Sequence, residues 1–147
     1  MNYWEEVLIN ILPYLMVMSE RYAVDKVVYA LRSFVKKLTD EANNGALVVV
    51  EGIRDEEALR SLGFSGAVFL LCRGSGIKHL LTVSQTFKKT VILTDLDRKG
   101  GALAAKVVET LQSKNIRVDL FFRKELRSVM RGKVRSIQDL KKFEDYF

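Results

Sequence analysis

Apolar side chains in the first forty residues recur at helical spacing. Trp4, Val7, Leu8, Ile11, Leu12 and Leu15 share one stripe. Val24, Val27, Val28, Leu31, Phe34, Val35 and Leu38 form a second. Pro13 removes a backbone donor and is expected to kink or divide this helical stretch, with Ser19 capping the second part. The plain reading is a helical pair packed on the domain. The alternative is an interface helix that joins two copies of the chain.

After Asn43-Asn44-Gly45, which stops the helix, the period changes. Ala46-Leu47-Val48-Val49-Val50 is a continuous β-branched run, as expected of a strand buried on both faces. Further strands are predicted at 67–72, 91–93 and 117–122, and helices at 54–62, 77–87 and 100–113. Strands alternating with helices predict an α/β fold: a Rossmann-like, four-stranded parallel sheet flanked by helices. A helical extension (residues 1–45) precedes it, and a segment with a short final helix (residues 123–147) follows.

Composition narrows the class. Hydrophobic residues make up 48% of the 147, enough for one cored domain. The single cysteine, Cys72, excludes a disulfide framework and a multi-cysteine zinc site, and its apolar run predicts burial. No apolar stretch reaches the length of a membrane span, and the acidic start lacks a signal peptide's basic head. The expectation is a cytoplasmic protein with no membrane partner. The net charge of +6 favours polyanionic partners.

Within this frame, two acids stand out. Val91-Ile92-Leu93 runs into Thr94-Asp95-Leu96-Asp97-Arg98-Lys99-Gly100. Carboxylates two positions apart on extended backbone point to one side and repel unless a proton or cation lies between them. The plain alternative makes Asp95 a helix cap and leaves Asp97 solvated. In open parallel sheets, sites form beyond the carboxyl ends of the strands at a switch in strand order. With the order 2-1-3-4, Glu51 at the end of the first strand would lie beside Asp95 and Asp97. Gly52 leaves room for a ligand there. Such a trio suits a hard divalent cation with oxygen ligands.

These residues carry a resemblance. Val48-Val49-Val50-Glu51-Gly52 with Asp55, followed by Asp95-Leu96-Asp97-Arg98-Lys99-Gly100, resembles the E-G element and DxDRxG motif of Toprim domains over about residues 46–122. Such domains occur in topoisomerases, bacterial-type primases, OLD-family nucleases and the ribonuclease that matures 5S ribosomal RNA. The small size is similar to that of stand-alone archaeal-type Toprim proteins. The resemblance implies that Glu51 is a metal ligand and general acid/base, and that Asp95 and Asp97 bind magnesium, with manganese as a substitute. Asp55 matches a frequent acidic position, with a helix N-terminal acid as its plain reading. Gly101 stands where topoisomerases often carry glutamate, which argues against that activity. No GxxxxGK[ST] is present, so the ATPase of the OLD nucleases is missing.

Basic residues complete the expectation. Arg123, Lys124, Arg127, Arg131, Lys133 and Arg135 form a run that is either a solvated face or a nucleic-acid contact, RNA in preference to DNA. Arg98 and Lys99, with Lys88 and Lys89, would extend it around the acids. Arg73-Gly74-Ser75-Gly76 is a candidate phosphate nest, and Gly100 could cradle phosphate at a helix start. The functional expectation is a metal-dependent nuclease. The first rival is a non-catalytic RNA- or DNA-binding module in a larger complex. A flavodoxin-like receiver, which would need Asp95 as its phosphorylated residue, is the second.

Overall fold

A computed structural model describes residues 1–72 and 76–147. The elements run α1 (Tyr3–Asn43), β1 (Ala46–Val50), α2 (Ile53–Ser61), β2 (Val68–Leu70), α3 (Gly76–Ser84), β3 (Lys89–Ile92), α4 (Arg98–Gln112), β4 (Val118–Asp119), α5 (Phe121–Met130) and a C-terminal 3-10 helix (Ile137–Tyr146). The sheet is all parallel, as the alternating pattern predicts, and its order is β2-β1-β3-β4. The switch point falls between β1 and β3.

All five residues of β1 are buried, which explains its unbroken apolar run. Ala46, Val48 and Val50 pack toward α1, α2, α5 and the 3-10 helix, while Leu47 and Val49 pack toward α3 and α4. The sheet is therefore the middle layer of three.

The structure corrects several expectations. α1 is one helix that passes through Pro13, because its neighbours supply enough consecutive hydrogen bonds to carry the turn that Pro13 weakens. Its Asn2 side chain accepts from Glu5 N, and Asn2 N donates to Glu5, so the capping box lies at Asn2 rather than Ser19. Continuity also makes α1 long and apolar enough to cross a membrane by length and composition, although charged residues interrupt its apolar run. Its first buried residue is Val28; Ala23, Lys26 and Val27 approach α5 and the core, and the stretch up to Tyr22 is almost wholly exposed. Cys72 is exposed rather than buried, because the chain turns there with φ 52° after β2 has ended.

The C-terminal segment is part of the core. Phe122, Leu126, Met130, Val134, Ile137 and Leu140 are all buried in the α1-side layer. The predicted fourth strand shrinks to two residues because Phe121 and Phe122 already belong to α5. Lys88 and Lys89 precede or open β3 and so lie at the opposite end of the sheet from Asp95. Lys89 instead bridges Glu41 at 2.9 Å and Asp119 at 2.8 Å. Burial alone would lower the pKa of its ammonium, but these two carboxylates outweigh it and raise it.

Candidate metal and phosphate site

Glu51 leaves β1 and Asp95 leaves β3 at the carboxyl edge of the sheet, on adjacent strands. The Asp95 backbone N–H donates to Glu51 Oε2 at 2.7 Å. Burial raises the Glu51 pKa above its ordinary value. The hydrogen bond from the Asp95 N–H lowers it in part, and the negative charges of Asp95 and Asp55 add to the rise. Glu51 therefore holds a proton more tightly than a solvated glutamate does.

The acids are tied to backbone as well as to each other. Asp55, 5% exposed, accepts from Gly52 N at 3.0 Å and from Gln138 N at 2.9 Å. Burial first, then the charge of Asp95, raises its pKa. Asp95 Oδ1 accepts from Ile137 N at 2.9 Å. The start of the 3-10 helix thus presents two successive amides to two acids, a favourable end of a helix for negative charge. Leu96 N donates to Arg135 O at 2.6 Å and fastens the same segment to the loop after β3.

Asp97 has a different position. Its Oδ1 accepts from Gly100 N at 2.7 Å, so Asp97 is the N-cap of α4. The plain alternative had given that role to Asp95. Buried Thr94 donates to Gly100 O at 2.8 Å and closes the loop from the other side. Gly100 is required by close approach: a Cβ there would stand 1.9 Å from the Asp95 carbonyl oxygen. Glu51, Asp55 and Asp95 are brought together, and Asp97 stays at the rim. Among the described residues, no three His, Cys, Asp or Glu side chains form a closed cation cage.

Arg123 reaches the acids from α5. Its Nη2 donates to Asp95 O at 2.6 Å and its Nε to Thr94 O at 3.3 Å. Burial and the neighbouring Arg127 lower its pKa, while Asp97, Glu51 and Asp95 pull the other way. It stays charged, since guanidinium does not lose its proton in proteins. Arg98, Lys99, Lys124, Arg127, Arg131, Lys133 and Arg135 are exposed. Of the Arg73-Gly74-Ser75-Gly76 nest, Arg73, Gly74 and Ser75 lie outside the described residues. Gly52 has open space where a side chain would be. The amides of Ile137 and Gln138 and the Thr94 clasp were not anticipated.

Residues 46–122 match the Toprim domain family. A UPF0292 protein of Thermococcus gammatolerans is 38% identical over 96 residues, covering 65% of this chain and 71% of the relative. A UPF0292 protein of Methanosarcina barkeri is 29% identical over 110 residues, covering 75% and 77%. A solved structure of a protein from Aquifex aeolicus superposes with a TM-score of 0.62 at 26% identity, covering 73% of this chain and 94% of the other.

Proposed function

The chain belongs to the Toprim domain family, and on that premise we propose that it is a magnesium-dependent nuclease that cuts phosphodiester bonds in structured RNA. The observation that carries this reading is the Glu51–Asp95 pair, crowded at the switch point with Arg123 bonded to the loop beside it. Its donor set is all oxygen. Burial first, and then the negative charges of Asp95 and Asp55, raise the proton affinity of Glu51, a setting that a bound cation would relieve. Both fit magnesium, which needs few protein ligands and keeps several waters. Glu51 and Asp95 would hold it, with Asp97 available if it releases Gly100. When bound, the cation would supply an activated water and neutralise charge on the phosphate.

The chain's own groups do the rest. Glu51, with its pKa shifted upward, is suited to take or return a proton. Arg123 uses Nε and one hydrogen of Nη2 on two carbonyls. Its remaining N–H groups have no hydrogen-bond partner among the described residues and would hold a phosphate oxygen. The exposed arginines and lysines of α5 and the segment after it would position the nucleic-acid backbone.

A second reading has its own support. Asp95, Asp55 and Asp97 all accept backbone amides, so each has a structural duty that a binding module without turnover would retain. One experiment separates the two. The full chain is incubated with a structured RNA and a DNA duplex, with magnesium, with manganese or with chelator. Cleavage that requires metal and disappears in Glu51→Gln, with the thermal transition kept, is the expected result. Cleavage that persists in Glu51→Gln refutes the assignment. Salt-sensitive binding that ignores chelation, with no product under any metal, establishes the binding module.

A further inference from the structure

The first half of α1 has no partner within the chain, and its apolar side chains are not confined to a stripe. Ile9, Leu12, Tyr14, Leu15, Val17 and Met18 are between 49% and 74% exposed. At about 100° per residue they point around the whole helix, with no gap wider than about 80°. A single partner helix covers one stripe and would leave most of these side chains in water. An environment that is apolar on all sides covers them all.

The ends of this stretch match such an environment. Tyr3 and Trp4 stand at one end and Tyr22 at the other, each about 70% exposed. Between and beyond these aromatics, the 18 residues 7–24 make about 27 Å of helix with only Glu20 and Arg21 charged, close to the roughly 30 Å hydrocarbon thickness of a bilayer. Amphipathic aromatics favour its two interfaces, and a mid-helix proline such as Pro13 is better tolerated there than in a helix in water. Charge is unequal across the stretch. Glu5 and Glu6 precede residues 7–24, Glu20 and Arg21 lie near the end of that stretch, and Asp25 and Lys26 follow it. Where α1 meets α5, Lys26, Arg131 and Lys133 line a groove of about 330 Å³ that has no acid in its lining. Lysine and arginine near the end of a span bias its orientation, which in a bilayer would put this end on the cytoplasmic side.

We propose that residues 7–24 insert into a lipid bilayer, with Glu5 and Glu6 outside it, and anchor the Toprim domain at its surface, with the basic groove against anionic headgroups. It departs from the expectation of no membrane partner, which rested on no apolar stretch reaching the length of a span.

The test is flotation of the detergent-purified full chain after reconstitution with phosphatidylcholine–phosphatidylglycerol vesicles. The chain should float, stay bound in 1 M NaCl and come off in detergent. Ile11→Asp and Leu15→Asp alter exposed positions and should keep the thermal transition, while bilayer partitioning falls by at least about 100-fold. Any of four results overturns the proposal: no flotation, release by salt alone, undiminished flotation of both variants, or a discrete dimer in detergent-free buffer that either variant converts to monomer without vesicle binding.

Discussion

Replacing Gly100 by alanine should break the loop that carries Asp95, whereas the same change one position later should not. A Cβ on Gly100 would lie 1.9 Å from the Asp95 carbonyl oxygen, 2.6 Å from its carbon and 3.0 Å from its Cα. All three are backbone atoms, so α4 must back away from the end of β3 by about 1 Å to restore ordinary contact. A Cβ on Gly101 meets only Arg123 Nη2, at 3.7 Å, an ordinary contact. Both changes gain about 1 kcal/mol in helix propensity. Gly100→Ala loses about 3 kcal/mol to overpacking. It also strains the Thr94–Gly100 and Asp97–Gly100 hydrogen bonds, each worth about 1 kcal/mol. The net loss is about 4 kcal/mol, or a fall of about 10 °C in Tm for a chain of this size, against a rise of about 3 °C for Gly101→Ala. Thermal unfolding by circular dichroism reads both. Midpoints within 2 °C of each other would refute the close-approach argument.

Glu51→Gln should also change how stability depends on pH. Folding raises the Glu51 pKa above its ordinary 4.5, so the folded state binds the proton more tightly than the unfolded chain. This group's contribution to stability therefore declines as pH rises from the unfolded value through the folded one. The variant should show a flatter decline over that window in urea unfolding; an identical pH profile contradicts the shift. Asp55→Ala leaves the Gly52 and Gln138 amides without their acceptor, and should lower the unfolding free energy by about 2 kcal/mol with an unchanged m value. An unchanged urea midpoint would show that neither bond matters.

The sheet was legible because its signals are local. The β-branched run of β1 and the alternation of strands with helices lead to a parallel α/β sheet without knowledge of any tertiary contact, whereas the order β2-β1-β3-β4 entered as a condition that the structure meets. The pairing of Glu51 with Asp95 follows from that order. The C-terminal segment was harder. Phe122, Leu126 and Met130 lie at helical spacing, but the arginines and lysines between them read as a solvated tail. Side-chain patterns also carry no mark of backbone donors, so the amides of Ile137 and Gln138 were out of reach. Asp97 was recognised by its motif, yet whether such an acid faces the site or caps a helix depends on a rotamer. The motif predicts the residue and not its direction.

The two amides at the start of the 3-10 helix have a consequence for folding order. The Gln138–Asp55 bond joins positions 83 apart, and the Ile137–Asp95 and Asp95–Glu51 bonds join positions 42 and 44 apart. Contacts that span so much chain carry a high closure entropy, so they form only once nearer pairings have shortened the path. A chain whose sheet has formed but whose last segment is undocked carries all its acids without two of the donors that aim them. The 46–122 segment that defines the family is thus a shorter unit than the one that assembles the site. Competence at this site would then serve as a reporter of completed folding, switched on by the last segment to dock.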